Sequence, residues 1–254
     1  MQPLLYDTLV PFYHLLDPLE DHADEGAEFG DVLRAAVPGA RTLFELGAGA
    51  GHGAHYVKRG FAETVLSDLS APMLARSEAL NADCEHVLGD MRSLRLGRTF
   101  DAVLVHDAIT YLTTPVALGE AAATAHAHLR PGGAALLVPD CTVESFVESH
   151  EDYAGDDASR SLRALAWSHD PVPGDGTHVV DFAFLLRERS EGEPAGEVQA
   201  VHDRHVHGLF TTATWVNVLE GAGFEVEAVR RPLPEEYRGG PYTEVMFLCR
   251  RPAP

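Results

Sequence analysis

The segment Glu45-Leu46-Gly47-Ala48-Gly49-Ala50-Gly51-His52 sets an acid two residues ahead of three alternating glycines. Between a strand and a helix, such glycines allow a tight turn and close approach of a ligand to the backbone. Gly47 is read as the turn, Gly49 as the point of approach, and Gly51 as the residue that starts the helix close to the sheet. An ordinary strand-to-helix turn has the same look, so neighbouring residues must decide. A dinucleotide fingerprint wants Gly or Ala where this chain has His52. Glu45 would repel a pyrophosphate and suits a cationic ligand group held by hydrogen bonds. Asp68, followed by Leu69, ends the next apolar run, 21 residues after Gly47. A carboxylate there accepts from both hydroxyls of a ribose. Gly89-Asp90-Met91 ends a third run, with Asp90 placed to accept from an exocyclic adenine amine and Met91 to pack on the ring.

A second group of residues has the chemistry to act on a substrate. His106-Asp107-Ala108-Ile109-Thr110-Tyr111 leaves a strongly apolar fourth run, and the crevice of an open α/β sheet lies beyond such strand ends. His106 is a candidate cofactor contact, and Asp107 and Tyr111 are candidates to face an acceptor. The plainer alternative is a buried histidine and an Asp capping the next segment. In His202-Asp203-Arg204-His205-Val206-His207, a strand puts Asp203, His205 and His207 on one face. His205, oriented by Asp203, and His207 are candidate catalytic residues. Their spacing also permits metal binding, but no third ligand is evident and no metal is expected. A solvated or dimer-facing edge strand is the remaining alternative.

Together, a ribose acceptor, an adenine site and an acid for a phosphate-free cationic tail describe a pocket for S-adenosylmethionine. With these residues in place the chain resembles class I S-adenosylmethionine-dependent methyltransferases. Glu45, the Phe100-Asp101-Ala102-Val103 run and the Leu129–Gly133 turn carry the resemblance over 41–140. More narrowly, Gly89–Arg98 and the opening Tyr6, Asp7, Phe12 and Tyr13 resemble the deoxysugar N,N-dimethyltransferases of macrolide biosynthesis. The resemblance implies a Rossmann-like, seven-stranded, mostly parallel sheet with a reversed edge hairpin. It also implies an N-terminal helix closing over the cofactor, where a Tyr, best matched by Tyr13, meets the methionine tail or shapes the acceptor pocket; core aromatics of an amphipathic helix are the alternative. The expected reaction is methyl transfer to an amine or hydroxyl of a small-molecule acceptor, such as an amino sugar or another natural-product intermediate. An NAD-dependent oxidoreductase and a non-catalytic S-adenosylmethionine-binding protein are the alternatives.

The elements that must position these residues alternate. Strands are expected at Arg41–Leu46, Glu63–Asp68, Cys84–Leu88, Phe100–His106 and Ala134–Pro139. Helices are expected at Gly51–Arg59, at Ala71–Leu80 with Ser70 as N-cap, and at Pro115–Leu129 stopped by Pro131-Gly132-Gly133. This order implies a parallel sheet with helices on both faces. Residues 1–38 read as one or two helices broken at Pro11 and Pro18, forming a cover over the cofactor-binding core, 39–140. Residues 141–208 read as a substrate-side insertion: Cys141–Ala166 polar and helical, then Thr177–Arg189 and Glu197–His207 as a hairpin across the Ser190–Gly196 loop. Trp167 and Phe182 line the acceptor pocket or belong to the core, and Trp215 belongs to the core. In 209–254 a helix, Thr211–Gly223, precedes two strands, Phe224–Arg230 and Thr243–Arg250, that complete one domain.

Composition narrows the partners. The 254 residues carry 39 acidic and 19 basic side chains, a formal charge of −20, and Lys58 is the single lysine. That balance speaks against nucleic acid and anionic membranes, which reward clustered cations. No apolar run is long enough to span a bilayer. The stretch 1–17 lacks a basic start, so a cytoplasmic protein is expected. Cys84, Cys141 and Cys249 fit neither a disulfide framework nor a zinc pattern. A homodimer is compatible with all of this.

Overall fold

The computed structural model describes residues 3–189, 196–231 and 245–253. From the N-terminus come short 3₁₀ turns at Leu4–Tyr6 and Val10–Phe12, helix α1 (Tyr13–Leu16), a 3₁₀ turn at Leu19–His22, and α2 (Ala23–Ala36). The core follows as β1 (Thr42–Leu46), α3 (His52–Val57), β2 (Glu63–Asp68), α4 (Ala71–Leu80), β3 (Glu85–Leu88), β4 (Phe100–His106), α5 (Pro115–His128) and β5 (Leu129–Val138). Then come β6 (Ser149–Asp156), β7 (Arg160–His169), β8 (Thr177–Glu188), β9 (Gln199–Gly208), α6 (Thr212–Gly221), β10 (Glu225–Arg230) and β11 (Val245–Arg250).

The main sheet has seven strands in the order β10-β11-β5-β4-β1-β2-β3. All are parallel except β11, which runs antiparallel to β5 and β10 as the expected reversed edge. The fold is the expected Rossmann-like one. Its central strands β1, β2, β4, β5 and β11 read as largely apolar runs because both faces are covered, whereas the edge strands β3 and β10 are more polar and exposed. Alternation then divides their residues. Phe44, Leu46, Val103, Val105 and Leu137 pack with α5 and α6, around Trp215 and Phe247. Leu43, Ala102, Leu104 and Leu136 pack on the other face with Phe29, Leu33 and Val57. β1 pairs with both β2 and β4, so the chain connections diverge there and a crevice opens at the strand ends.

A four-stranded antiparallel sheet, β6-β7-β8-β9, stands over that crevice. This corrects the helix expected over Cys141–Ala166, which is strand for most of its length. In β7, Leu162, Ala164 and Ala166 are buried while Arg163, Leu165 and Trp167 are exposed. That period of two, and full pairing with β8, settle the strand against local helix preference. Acids punctuate edge strand β6, with Asp152 and Asp156 solvent-facing and repelling further strand pairing. The inner face of this sheet holds the N-terminal segment, where Leu5, Leu9, Phe12 and Leu15 pack on Leu162, Ala164, Phe184 and Leu186.

Other differences are local. Pro11 lies inside the first turn of a 3₁₀ segment, and Pro18 precedes one, so each starts a turn where a break was expected. α5 ends at His128, and Pro131-Gly132-Gly133 forms an irregularity within β5, because buried Leu129 already pairs with Phe100. The Ser190–Gly196 loop, except Gly196, and Thr243 with the connection before it lie outside the described residues. Among the described residues, no helix is long and apolar enough to cross a membrane.

Candidate active site

The ends of β1 to β5 open into a cleft of about 1160 Å³, roofed by the N-terminal segment and the inner face of the second sheet. The glycine loop forms one wall. Gly47 has φ +80°, and a Cβ there would stand 2.4 Å from Ala108 Cβ and 2.9 Å from Met91 Cε. Gly49, at φ +54°, faces open space apart from Met73 Cε at 3.5 Å, as a point of ligand approach should. Gly51 is a correction. A Cβ there would meet Ser77 Oγ at 2.3 Å and Asn81 Nδ2 at 2.4 Å, so it is α4, and not the sheet, that requires glycine.

Asp68 is aimed by the loop. Gly49 N donates to its Oδ2 at 2.8 Å and Ser70 N to its Oδ1 at 2.7 Å, and the carboxylate borders the cleft with acceptor capacity left over. Leu69 is exposed on the rim beside it. Asp90 differs from expectation. Its carboxylate is taken by Arg92, whose Nε lies 3.0 Å from both oxygens, and this pairing holds the carboxyl below its usual range. Met91 lies on the cleft wall against the core.

Glu45 is 5 % exposed, and its Oε2 has no hydrogen-bond partner. Burial pushes its carboxyl up to about 7, against the lowering pull of His106. His106 Nε2 lies 2.7 Å from Asp107 Oδ1 and 3.4 Å from Glu25 Oε2. Burial opposes its charging, but the two acids outweigh that and raise it well above the usual imidazole range. Glu25 also pairs with Arg231.

The cover supplies a cluster that sequence reading missed. Asp17 Oδ1 lies 2.8 Å from His22 Nε2, and its Oδ2 lies 3.3 Å from His52 Nδ1. One ligand atom from each lies within 4.8 Å of the others, a donor set of the kind that holds divalent transition metals. As it stands, the cluster clasps the N-terminal segment to the start of α3. Tyr13 packs on His52 with ring centroids 5.6 Å apart and lines the cleft. Pro18 separates Asp17 from His22, and only the fold brings His52 to them, so no local spacing announces the cluster.

At the opposite end, Tyr111 Oη lies 2.7 Å from His205 Nδ1 and 3.0 Å from Tyr6 Oη. His205 Nε2 meets Asp203 Oδ2 at 3.0 Å, and that oxygen also accepts from Leu5 N at 2.8 Å. The alternation expected in β9 is therefore present, with Asp203, His205 and His207 buried on one face. Both nitrogens of His205 are committed, so it has none left for a metal shared with His207. His207 is buried with neither ring nitrogen bonded, and burial pushes it well below the usual imidazole range. Its ring meets Tyr111 at 4.6 Å and His178 at 5.1 Å. Phe182 lines the cleft, whereas Trp167 stands exposed on the outer face of the sheet and Trp215 is core.

The residues fit S-adenosylmethionine. Buried Glu45 has an unpartnered oxygen for a cationic group, Asp68 has free lone pairs for hydroxyls, and the open space over Gly49 separates them. Comparison with known proteins agrees. Residues 43–133 match the methyltransferase domain family. The chain is 30 % identical over 232 residues to the dTDP-3-amino-3,4,6-trideoxy-alpha-D-glucopyranose N,N-dimethyltransferase of Streptomyces venezuelae, covering 90 % of this chain and 91 % of that protein. It therefore belongs to the S-adenosylmethionine-dependent methyltransferases and shares a family with deoxysugar N,N-dimethyltransferases. Among solved structures, Streptomyces venezuelae DesVI superposes with a TM-score of 0.76 at 26 % identity, covering 98 % of this chain and 97 % of that one. The S-adenosylmethionine-bound CalS10, an amino pentose methyltransferase from Micromonospora echinaspora, gives 0.74 at 25 % identity, with 91 % of each chain covered.

Proposed function

We propose that this methyltransferase acts on the amino group of a deoxyamino sugar, carried on a nucleotide as in its Streptomyces venezuelae relative. The observation that carries this reading is the charge at the acceptor end of the cleft. Asp107 and Asp140 border the cleft at the exits of β4 and β5, and carboxylates complement an ammonium. His205 is spent on Asp203 and Tyr111, which argues against that imidazole as a base for a hydroxyl acceptor.

Bound S-adenosylmethionine supplies an electrophilic methyl group on a cationic sulfur. Glu45 holds the charged tail, with Tyr13 and His106 flanking it. Gly47, Gly49 and Gly51 shape the turn, Asp68 holds the ribose, and Leu69, Asp90 and Met91 border the adenine. Asp107 and Tyr111 face the acceptor, His205 keeps Tyr111 in place, and His207 offers its free nitrogens to acceptor polar groups. Residues 1–38 and 141–208 act as the substrate-side cover of a 39–140 cofactor core, completed by 209–254. A second copy of the chain is a further partner, supported by Leu165, Trp167, Leu185 and Val206 exposed on the second sheet's outer face.

The test is calorimetry with S-adenosylmethionine, followed by mass spectrometry of dTDP-3-amino-3,4,6-trideoxy-α-D-glucopyranose incubated with both. Tight binding lost in Asp68→Ala, and gain of one or two methyl groups, are expected. Binding without methylation of this amine, or methylation at a hydroxyl, refutes the acceptor assignment.

A further inference from the structure

β4 and β5 are parallel neighbours, with His106 paired to Val138, so the residues just past their ends converge. One is Asp107. The other is Asp140, two residues beyond Val138, which no motif in the sequence marks. Three features set the pair apart. Asp107 has φ +49° and ψ −62°, the one non-glycine with positive φ among the described residues. A side chain held so costs about 1–3 kcal/mol, and such strain persists where surroundings enforce it. Thr110 Oγ1 links the two residues, donating to the Asp107 backbone oxygen and lying 3.4 Å from Asp140 Oδ2. Asp140 Oδ1 is shielded from solvent and has no hydrogen-bond partner, although it borders the cleft.

We propose that Asp140, set in place by Asp107, is the proton acceptor for the substrate's ammonium and so a catalytic residue of this methyltransferase. The inference rests on the amine reading above. An ammonium has no lone pair and cannot take a methyl group. When it binds between the two carboxyls, one N–H bond breaks, its electron pair stays on nitrogen, and the proton forms an O–H bond on Asp140. Methyl transfer consumes that lone pair. The product leaves as the methylated ammonium, and the proton on Asp140 returns to solvent. A second methylation repeats the cycle.

A carboxylate disfavours the ionisation of a neighbouring carboxyl. Burial and then the Asp107 charge raise Asp140 well above the usual carboxylate range, with His106 pulling the other way. The other titratable groups facing it are Tyr6 and Tyr111, whose hydroxyls burial pushes up and so keeps neutral, and its chain neighbour Cys141, likewise pushed up by burial. The charges that bear on it are those of Asp107, which raises it, and His106, which lowers it.

The test is the pH profile of kcat/KM for the full chain with dTDP-3-amino-3,4,6-trideoxy-α-D-glucopyranose, alongside calorimetric S-adenosylmethionine binding. The wild type should fall at low pH as Asp140 protonates and hold its rate at high pH, where the acceptor arrives already deprotonated. Asp140→Asn should bind the cofactor normally and lose about 100-fold in kcat/KM at neutral pH. Its activity should return as pH rises through the acceptor's own ammonium pKa. A loss equal at every pH, or no loss, overturns the proposal. Asp140→Glu provides an arm that keeps the carboxyl: its acid limb should move while the rate at the optimum stays within about tenfold. An unmoved limb overturns the proposal too. If the wild type binds the cofactor yet methylates this amine at no pH, the amine reading fails, and Asp140's role with it.

Discussion

Replacing Glu45 by Gln should move the stability of the cofactor-free protein in the variant's favour as pH rises into mild alkali, while weakening cofactor binding. Burial raises this carboxyl from 4.5 to about 7. At 1.36 kcal/mol per unit, the charged form costs about 3 kcal/mol in the folded chain. The sign follows from linkage. A carboxyl whose folded pKa lies above its unfolded one binds the extra proton in the folded state. Its stabilising contribution is full below 4.5 and is lost as pH rises through 7. Gln carries no proton equilibrium. Its amide also lacks partners, but that cost is the same at every pH and cancels between conditions. The difference in stability between Glu45→Gln and wild type should therefore move by about 3 kcal/mol in favour of the variant from pH 4.5 to 8. For a chain of this size that corresponds to about 6–12 °C in relative melting temperature. S-adenosylhomocysteine, whose tail keeps an ammonium, should bind the variant about 10–100-fold more weakly at pH 8, the worth of a charge-assisted hydrogen bond. Thermal melts across pH and calorimetry measure both. A melting difference that stays constant with pH, or an unchanged affinity, refutes the argument that Glu45 is a buried acid awaiting a cation.

Gly47→Ala should cost more than Gly49→Ala, although both have positive φ, because only the first Cβ collides with Ala108 and Met91. We expect about 2 kcal/mol or more against about 1 kcal/mol by chemical denaturation. Asp203→Ala removes the acceptor shared by Leu5 N and His205. About 2–4 kcal/mol of stability should go, and limited proteolysis should cut the first 16 residues faster. Light scattering should give twice the 27.5 kDa chain mass, and Leu165→Glu together with Leu185→Glu should return it to one.

What the sequence made legible was local. The loop Gly47–Gly51, Asp68, the Ser70 cap and strand Phe100–His106 are each specified within a few residues of themselves, by turn chemistry and an apolar run ended by a polar residue. The cofactor end of the cleft is made of these pieces, so it could be assembled from motif spacing. Even there one role was misplaced. Gly51 is required by Ser77 and Asn81, more than 25 positions away, which spacing within the motif does not encode.

The acceptor end is made by pairing between distant segments. β7 carries an alternating pattern, but β6 before it is a mix of acids and small residues, and without its partner the stretch passes for a polar helix. Asp203 was visible beside His205 because a strand period joins them; its bond to Leu5, 198 positions away, was not. Asp140 makes the same point chemically. Its sequence surroundings, Val138-Pro139-Asp140-Cys141, are those of any strand end. The fold sets a second acid beside it by running β5 parallel to β4, and a lone exposed Asp becomes one of two carboxyls that compete for a proton. Sequence therefore reports a binding site made of turns better than a reactive site made of converging strand ends, since the property that matters at the second belongs to the pair and to neither residue.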